Sequence, residues 1–227
     1  MRTMVRRWLD RDFVFITGEA PSAPTAADEM KALVAEMEAE LEIHGLTLAD
    51  TVRTRLWAKD RPSRDEASRE RRRIFDGPAR SVSSSFIAPS ALSSESAVAM
   101  DLVAMRSSAP KQLVEYEPPI VPLRYFVQDS IVFLSGVTAV LPGLEYQVKD
   151  IVGRVTESLA HAQTSWDRVA LVSCYLHRSQ SVDALQSLLR PMIPANIPAV
   201  EYEFADGYSE PGKLLEIETT ALGNVIR

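Results

Sequence analysis

The chain repeats itself, and that feature limits its fold more than any other. Val-Phe-Ile-Thr-Gly at 14–18 returns as Val-Phe-Leu-Ser-Gly at 132–136. Asp50, in Leu-Thr-Leu-Ala-Asp-Thr-Val, is answered by Asp167 in Thr-Ser-Trp-Asp-Arg-Val. Pro-Ala-Arg at 78–80 is answered by Pro-Ala-Asn at 194–196. Val14 to Val132, Asp50 to Asp167 and Arg80 to Asn196 span 118, 117 and 116 residues. Spacing this constant over many landmarks marks two copies of one unit.

Each copy reads in the same order. A short β-rich run ends in glycine. An amphipathic helix follows, with Met30, Leu33, Val34, Met37 and Leu41 on one face of the first. Val148, Ile151, Val152, Val155 and Leu159 do the same in the second. A polar turn leads into a strand, Val-Arg-Thr-Arg-Leu-Trp-Ala-Lys-Asp or Val-Ala-Leu-Val-Ser-Cys-Tyr-Leu-His-Arg-Ser. A second helix is expected in Arg-Asp-Glu-Ala-Ser-Arg-Glu-Arg-Arg-Arg-Ile-Phe-Asp-Gly and in Ser-Val-Asp-Ala-Leu-Gln-Ser-Leu-Leu-Arg-Pro-Met-Ile. Extended runs at 96–105 and 213–222 close the two copies. The fold class is therefore α+β, two tandem domains, each a mixed β-sheet covered on one face by two helices. The boundaries follow: a first domain at 1–106, a linker at 107–122 rich in proline and polar residues, and a second domain at 123–227. The uncovered sheet faces call for packing between domains or chains, so a homo-oligomer is expected.

Composition narrows the partners. The net charge of −6 speaks against nucleic acid, because phosphate binding needs a basic face. A single cysteine, Cys174, excludes an intrachain disulfide and suits a reducing cytoplasm. The basic N-terminus lacks the apolar stretch of a signal peptide, and no apolar run is long enough to span a bilayer. No membrane partner is expected.

Several chemistries find no motif. His44, His161 and His177 are scattered, so no metal is expected. There is no glycine-rich phosphate loop and no nucleophile elbow, and the sequence does not allow a serine–histidine nucleophilic triad to be built. The basic run Ser-Arg-Glu-Arg-Arg-Arg at 68–73 reads as the solvated face of a helix, interleaved with Glu66 and Glu70. Arg80 stands apart. It follows Pro-Ala and precedes the serine-rich strand Ser-Val-Ser-Ser-Ser-Phe-Ile-Ala. A guanidinium placed there can offer two parallel donors to a carboxylate. The competing reading is an ordinary salt bridge.

The order Val-Phe-Ile-Thr-Gly, then Gly-Leu-Thr-Leu-Ala-Asp-Thr-Val, Arg-x-Trp-x-x-Asp and Gly-Pro-Ala-Arg-Ser resembles the Rid/YjgF family of imine and enamine deaminases. The resemblance covers 13–105 well and 125–222 more loosely. It implies a fold like bacterial chorismate mutase, assembly based on trimers of domains, and no cofactor. It implies that Arg80 grips a substrate carboxylate, with Ser81 next to it. Thr17 with Gly18, and Ser135 with Gly136, match the residues at the end of the early strand. Glu216 matches the glutamate that helps place the attacking water, and Glu218 takes the next acidic position. In the first half those two positions are Ala99 and Asp101. Asn196 stands where the second half would carry the arginine. Each half therefore keeps one member of the pair. Asp101, Glu201, Glu203 and Asp206 are candidate substitutes for the carboxylate missing from the first half.

The expected activity is hydrolysis of an imine or enamine on a small carboxylate-bearing substrate. The alternative is a non-catalytic module that binds such a ligand or supports an assembly. A ribonuclease role fits the acidic charge poorly. Chorismate-type hydrolases also use such domains, but this chain is short for that group and no motif selects it.

Overall fold

A computed structural model describes residues 1–120 and 122–223. Val121, inside the expected linker, and 224–227, at the end of the expected second domain, lie outside the described residues. The chain forms two compact units, Met1–Pro110 and Lys111–Arg227.

The first unit opens with β1 (Arg2–Trp8) and β2 (Arg11–Glu19), then α1 (Ala26–Ile43), β3 (Thr51–Ala58), α2 (Arg61–Ile74), β4 (Val82–Ile87) and β5 (Val98–Met105). Its sheet runs β1-β2-β5-β3-β4. Only β3 and β4 are parallel, and α2 is the crossover between them. The second unit contains β6 (Gln112–Val114), β7 (Tyr125–Gln128), β8 (Ile131–Thr138), α3 (Leu144–His161), β9 (Val169–His177), α4 (Val182–Leu189), β10 (Val200–Ala205) and β11 (Leu215–Leu222). Its sheet, β10-β9-β11-β8-β7-β6, repeats the first order, with β9 and β10 parallel and β6 added at the edge. Part of the stretch read as a linker is thus a strand, paired to β7 from Gln112–Val127 to Val114–Tyr125.

Local chemistry sets these elements. Thr25 caps α1 by accepting from the Asp28 amide at 3.1 Å. Asp60 caps α2 through the Ser63 amide at 2.9 Å, and Ser181 caps α4 through the Ala184 amide at 3.1 Å. The apolar faces expected of α1 and α3 are the buried ones. Leu33 and Val155 are wholly buried, each worth about 1.5–3 kcal/mol of transfer free energy. In the first unit they meet Val14, Ile16, Leu56, Met100 and Leu102; in the second, Val132, Leu134, Val172, Cys174 and Ile217. One sheet face of each unit is thereby closed by helix.

Two features depart from the sequence reading. β1 carries Arg2, Arg6 and Arg7 and shows no apolar alternation, yet it pairs with β2 along its length. Its turn, Leu9–Asp10, takes positive φ at both residues without glycine, as does Asp129–Ser130 between β7 and β8. Arg71 is not on the solvated face of α2. It is buried, donating to the Ser84 carbonyl at 2.6 Å and the Ser85 hydroxyl at 2.8 Å. Arg73 is the exposed partner of Glu70, at 2.6 Å.

The loop between β4 and β5 is pinned to the end of β2 by a carboxylate. Glu19 accepts from the Ser93 amide at 2.9 Å, the Ser93 hydroxyl at 2.6 Å and the Ser94 amide at 2.9 Å. The serine hydroxyls and amides lower its pKa from 4.5 to about 2. A depressed carboxylate stabilises the fold above the unfolded pKa and loses that contribution as pH falls through the folded one. Glu19→Gln should therefore lower the unfolding temperature at neutral pH, and the difference from wild type should shrink below pH 4.5 and vanish near pH 2. Thermal unfolding of both proteins across that range checks this.

Candidate functional site

The faces away from the helices carry the polar residues, because alternation sends every second side chain there. In the first unit, strand register lines up Thr17 on β2, Asp101 on β5, Arg55 on β3 and Ser84 on β4. The row is tied together. Thr17 Oγ1 donates to Asp101 Oδ1 at 2.8 Å, and the Trp57 indole Nε1 donates to Asp101 Oδ2 at 2.7 Å. Both carboxylate oxygens are thus oriented by neighbouring strands. Trp57 is itself held against Phe86, with ring centroids 4.9 Å apart.

Arg80 lies at the head of β4. It ends a short turn, Gly77–Ala79, and its amide donates to the Gly77 carbonyl at 3.1 Å. Its backbone is already extended at φ −58° and ψ 129°, which commits the chain to the strand. Ser81 beside it is buried, and its hydroxyl has no hydrogen-bond partner among the described residues. Gly18 belongs to the helical side: a Cβ there would meet Leu33 Cδ1 at 3.2 Å and Met1 Sδ at 3.0 Å. Its smallness serves the approach of α1 to β2.

In the second unit the same row has different chemistry. Glu218 on β11 opposes Ser173 on β9, which opposes Glu201 on β10. Across β8 the register slips between Ile217 and Thr219, so Ser135 and Gly136 both face Glu218. The Ser135 hydroxyl is buried without a hydrogen-bond partner among the described residues. One row further, Glu216 opposes Tyr175, and Tyr175 opposes Glu203. The Tyr208 phenol, buried and donating to the Tyr175 carbonyl at 2.9 Å, is pushed up by burial and by the charge on Glu216. In the first unit Trp57 opposes Ala99 and Arg55 opposes Asp101, as Tyr175 opposes Glu216 and Ser173 opposes Glu218 in the second.

Asn196 is exposed in the turn after α4. Four residues before Ser84 stands Arg80; four before the matching Glu201 stands Ile197, so Asn196 is one step outside that register. Asp206 pairs with Arg178 at 2.7 Å. Cys174 faces the helices, and burial raises its thiol to about 12, which leaves it protonated and unreactive. Sequence reasoning missed Trp57 as a carboxylate partner. The alternation of β3 was readable, but the pairing of residues 44 positions apart was not. Among the described residues, no three His, Cys, Asp or Glu side chains cluster to hold a metal ion, and no helix is long and apolar enough to cross a membrane.

No family model matches the chain, and no curated protein does. Solved structures do. A chorismatase structure aligns with 96% of this chain and 78% of its own, at TM-score 0.67 and 14% identity. A YjgF-family member from Neisseria meningitidis aligns with 51% of this chain and 97% of its own, at TM-score 0.46 and 16% identity. RidA from the Antarctic bacterium Psychrobacter sp. aligns with 52% of this chain and 99% of its own, at TM-score 0.43 and 14% identity. The chain thus carries two α+β units in tandem and shares the fold of chorismatase.

Proposed function

We propose that the chain is a cofactor-independent hydrolase of a small imine or enamine that bears a carboxylate, working from the non-helical face of its first unit. The supporting observation is Asp101, a carboxylate held at both oxygens by Thr17 and Trp57 on a face headed by Arg80. Arg80 would take the substrate carboxylate as a two-donor clamp. Asp101 would orient water onto the imine carbon and accept its proton. The resulting carbinolamine collapses, the C–N bond breaks, and keto acid and ammonia leave.

A second reading is a module that binds such a carboxylate without turnover. The geometry of Asp101 favours it in one respect: each of its oxygens already accepts a strong hydrogen bond, at 2.8 and 2.7 Å. The discriminating experiment generates 2-iminobutanoate in situ and follows keto acid release. Wild type is expected to accelerate release over buffer. No acceleration by a protein that still binds 2-ketobutyrate would replace hydrolysis with the second reading.

A further inference from the structure

The two units differ most in the segment between their second helix and the strand that follows. In the first, α2 runs for 14 residues and is followed by Phe75, buried in the core. In the second, α4 stops after 8 residues, and 190–199 cross a longer gap to β10. Pro191 and Pro194 keep that crossing out of helix. A cavity of about 240 Å³ opens between α4, this crossing and β10. That is room for about eight waters at ~30 Å³ each, or for one small organic molecule.

Its walls are mostly apolar, with Leu189, Ile193, Ile197 and Val200 among the lining residues. Three polar side chains break that surface. Tyr202 and Gln186 line it side by side. Arg190, exposed at the end of α4, lines its rim, and its guanidinium has no hydrogen-bonding or ionic partner among the described residues. No carboxylate lines the cavity. A lone cation over an apolar concavity, with one phenol and one amide, suits an apolar body carrying a single negative charge. A dianion would leave its second charge against aliphatic walls, which is costly.

We propose that this cavity in the second unit is a second ligand site, for a compact apolar monocarboxylate whose carboxylate pairs with Arg190 while its body packs on Ile193 and Ile197. It is separate from the Arg80 site and does not depend on the reaction proposed there.

The test is calorimetric titration of the whole protein with benzoate and with uncharged benzamide. Wild type should bind benzoate saturably, with intermolecular NOEs from the ring protons to the Ile193 and Ile197 methyls. Arg190→Gln should weaken benzoate about tenfold or more and leave benzamide nearly unchanged. Ile197→Trp, which fills the cavity, should abolish both. Arg80→Ala should leave benzoate binding intact. Absence of saturable benzoate binding up to its solubility overturns the proposal. So does binding that is insensitive to Arg190→Gln, or binding lost in Arg80→Ala, which would place the benzoate in the first unit.

Discussion

Asp101→Asn is expected to lower the rate of imine hydrolysis by about 10²–10⁴-fold with little change in KM, the usual loss when a positioned acid–base group is removed. The substitution is a clean one. Asparagine Oδ1 can keep the bond from the Trp57 indole, and its amide can donate to Thr17, whose hydroxyl rotates to accept. The fold and the substrate clamp should therefore survive while the charge that orients and deprotonates water disappears. The measurement is kcat and KM for keto acid release, with thermal unfolding as a control on folding. An unchanged kcat would reduce Asp101 to a structural anchor between β2, β3 and β5. A collapse of stability would be answered by Thr17→Val, which frees one oxygen of Asp101 and keeps its charge. If hydrolysis depends on the orientation of Asp101, that variant too should lose rate.

Arg80→Ala should act on binding instead. Losing a charge-assisted, two-donor contact costs about 1.5–3 kcal/mol, which is roughly a 10- to 150-fold rise in KM for a carboxylate substrate. Lysine should recover only part of this, since its ammonium is a point charge without the planar fork. The internal repeat supplies the control. Asn196→Ala changes an exposed turn residue outside the register of Arg80 and should leave KM where it was. A KM unmoved by Arg80→Ala, with kcat reduced, would recast Arg80 as a residue that holds β4 in place.

Much of the architecture could be read from residues because the repeat doubled every signal. The apolar faces of α1 and α3 follow a 3.6-residue period that survives in both copies, and both are buried. β1 could not be read that way. It is an edge strand that exposes Arg2, Met4, Val5, Arg6 and Arg7 alike, so pairing with β2 rather than burial holds it. Arg71 was misplaced for a related reason: α2 has few apolar residues, so an arginine on its inner face reads as solvated, and a buried guanidinium there depends on the Ser84 carbonyl and Ser85 hydroxyl supplied by β4. The site divides along the same line. Arg80 and Thr17 stand out through short local motifs. Their relation to Asp101 and Trp57 rests on strand pairing across 84 and 44 residues, which no local pattern records. The cavity beside Arg190 is equally silent in sequence, because it arises from where α4 stops.

Calorimetric titration of wild type and Arg80→Ala with pyruvate and 2-ketobutyrate tests the central claim most directly. These keto acids carry the carboxylate of the proposed substrate and are the kind of product that would form. The account predicts saturable binding to wild type and its loss, or a shift of at least about tenfold, in Arg80→Ala. Equal binding to both proteins, or binding to neither, would contradict a carboxylate site built on Arg80.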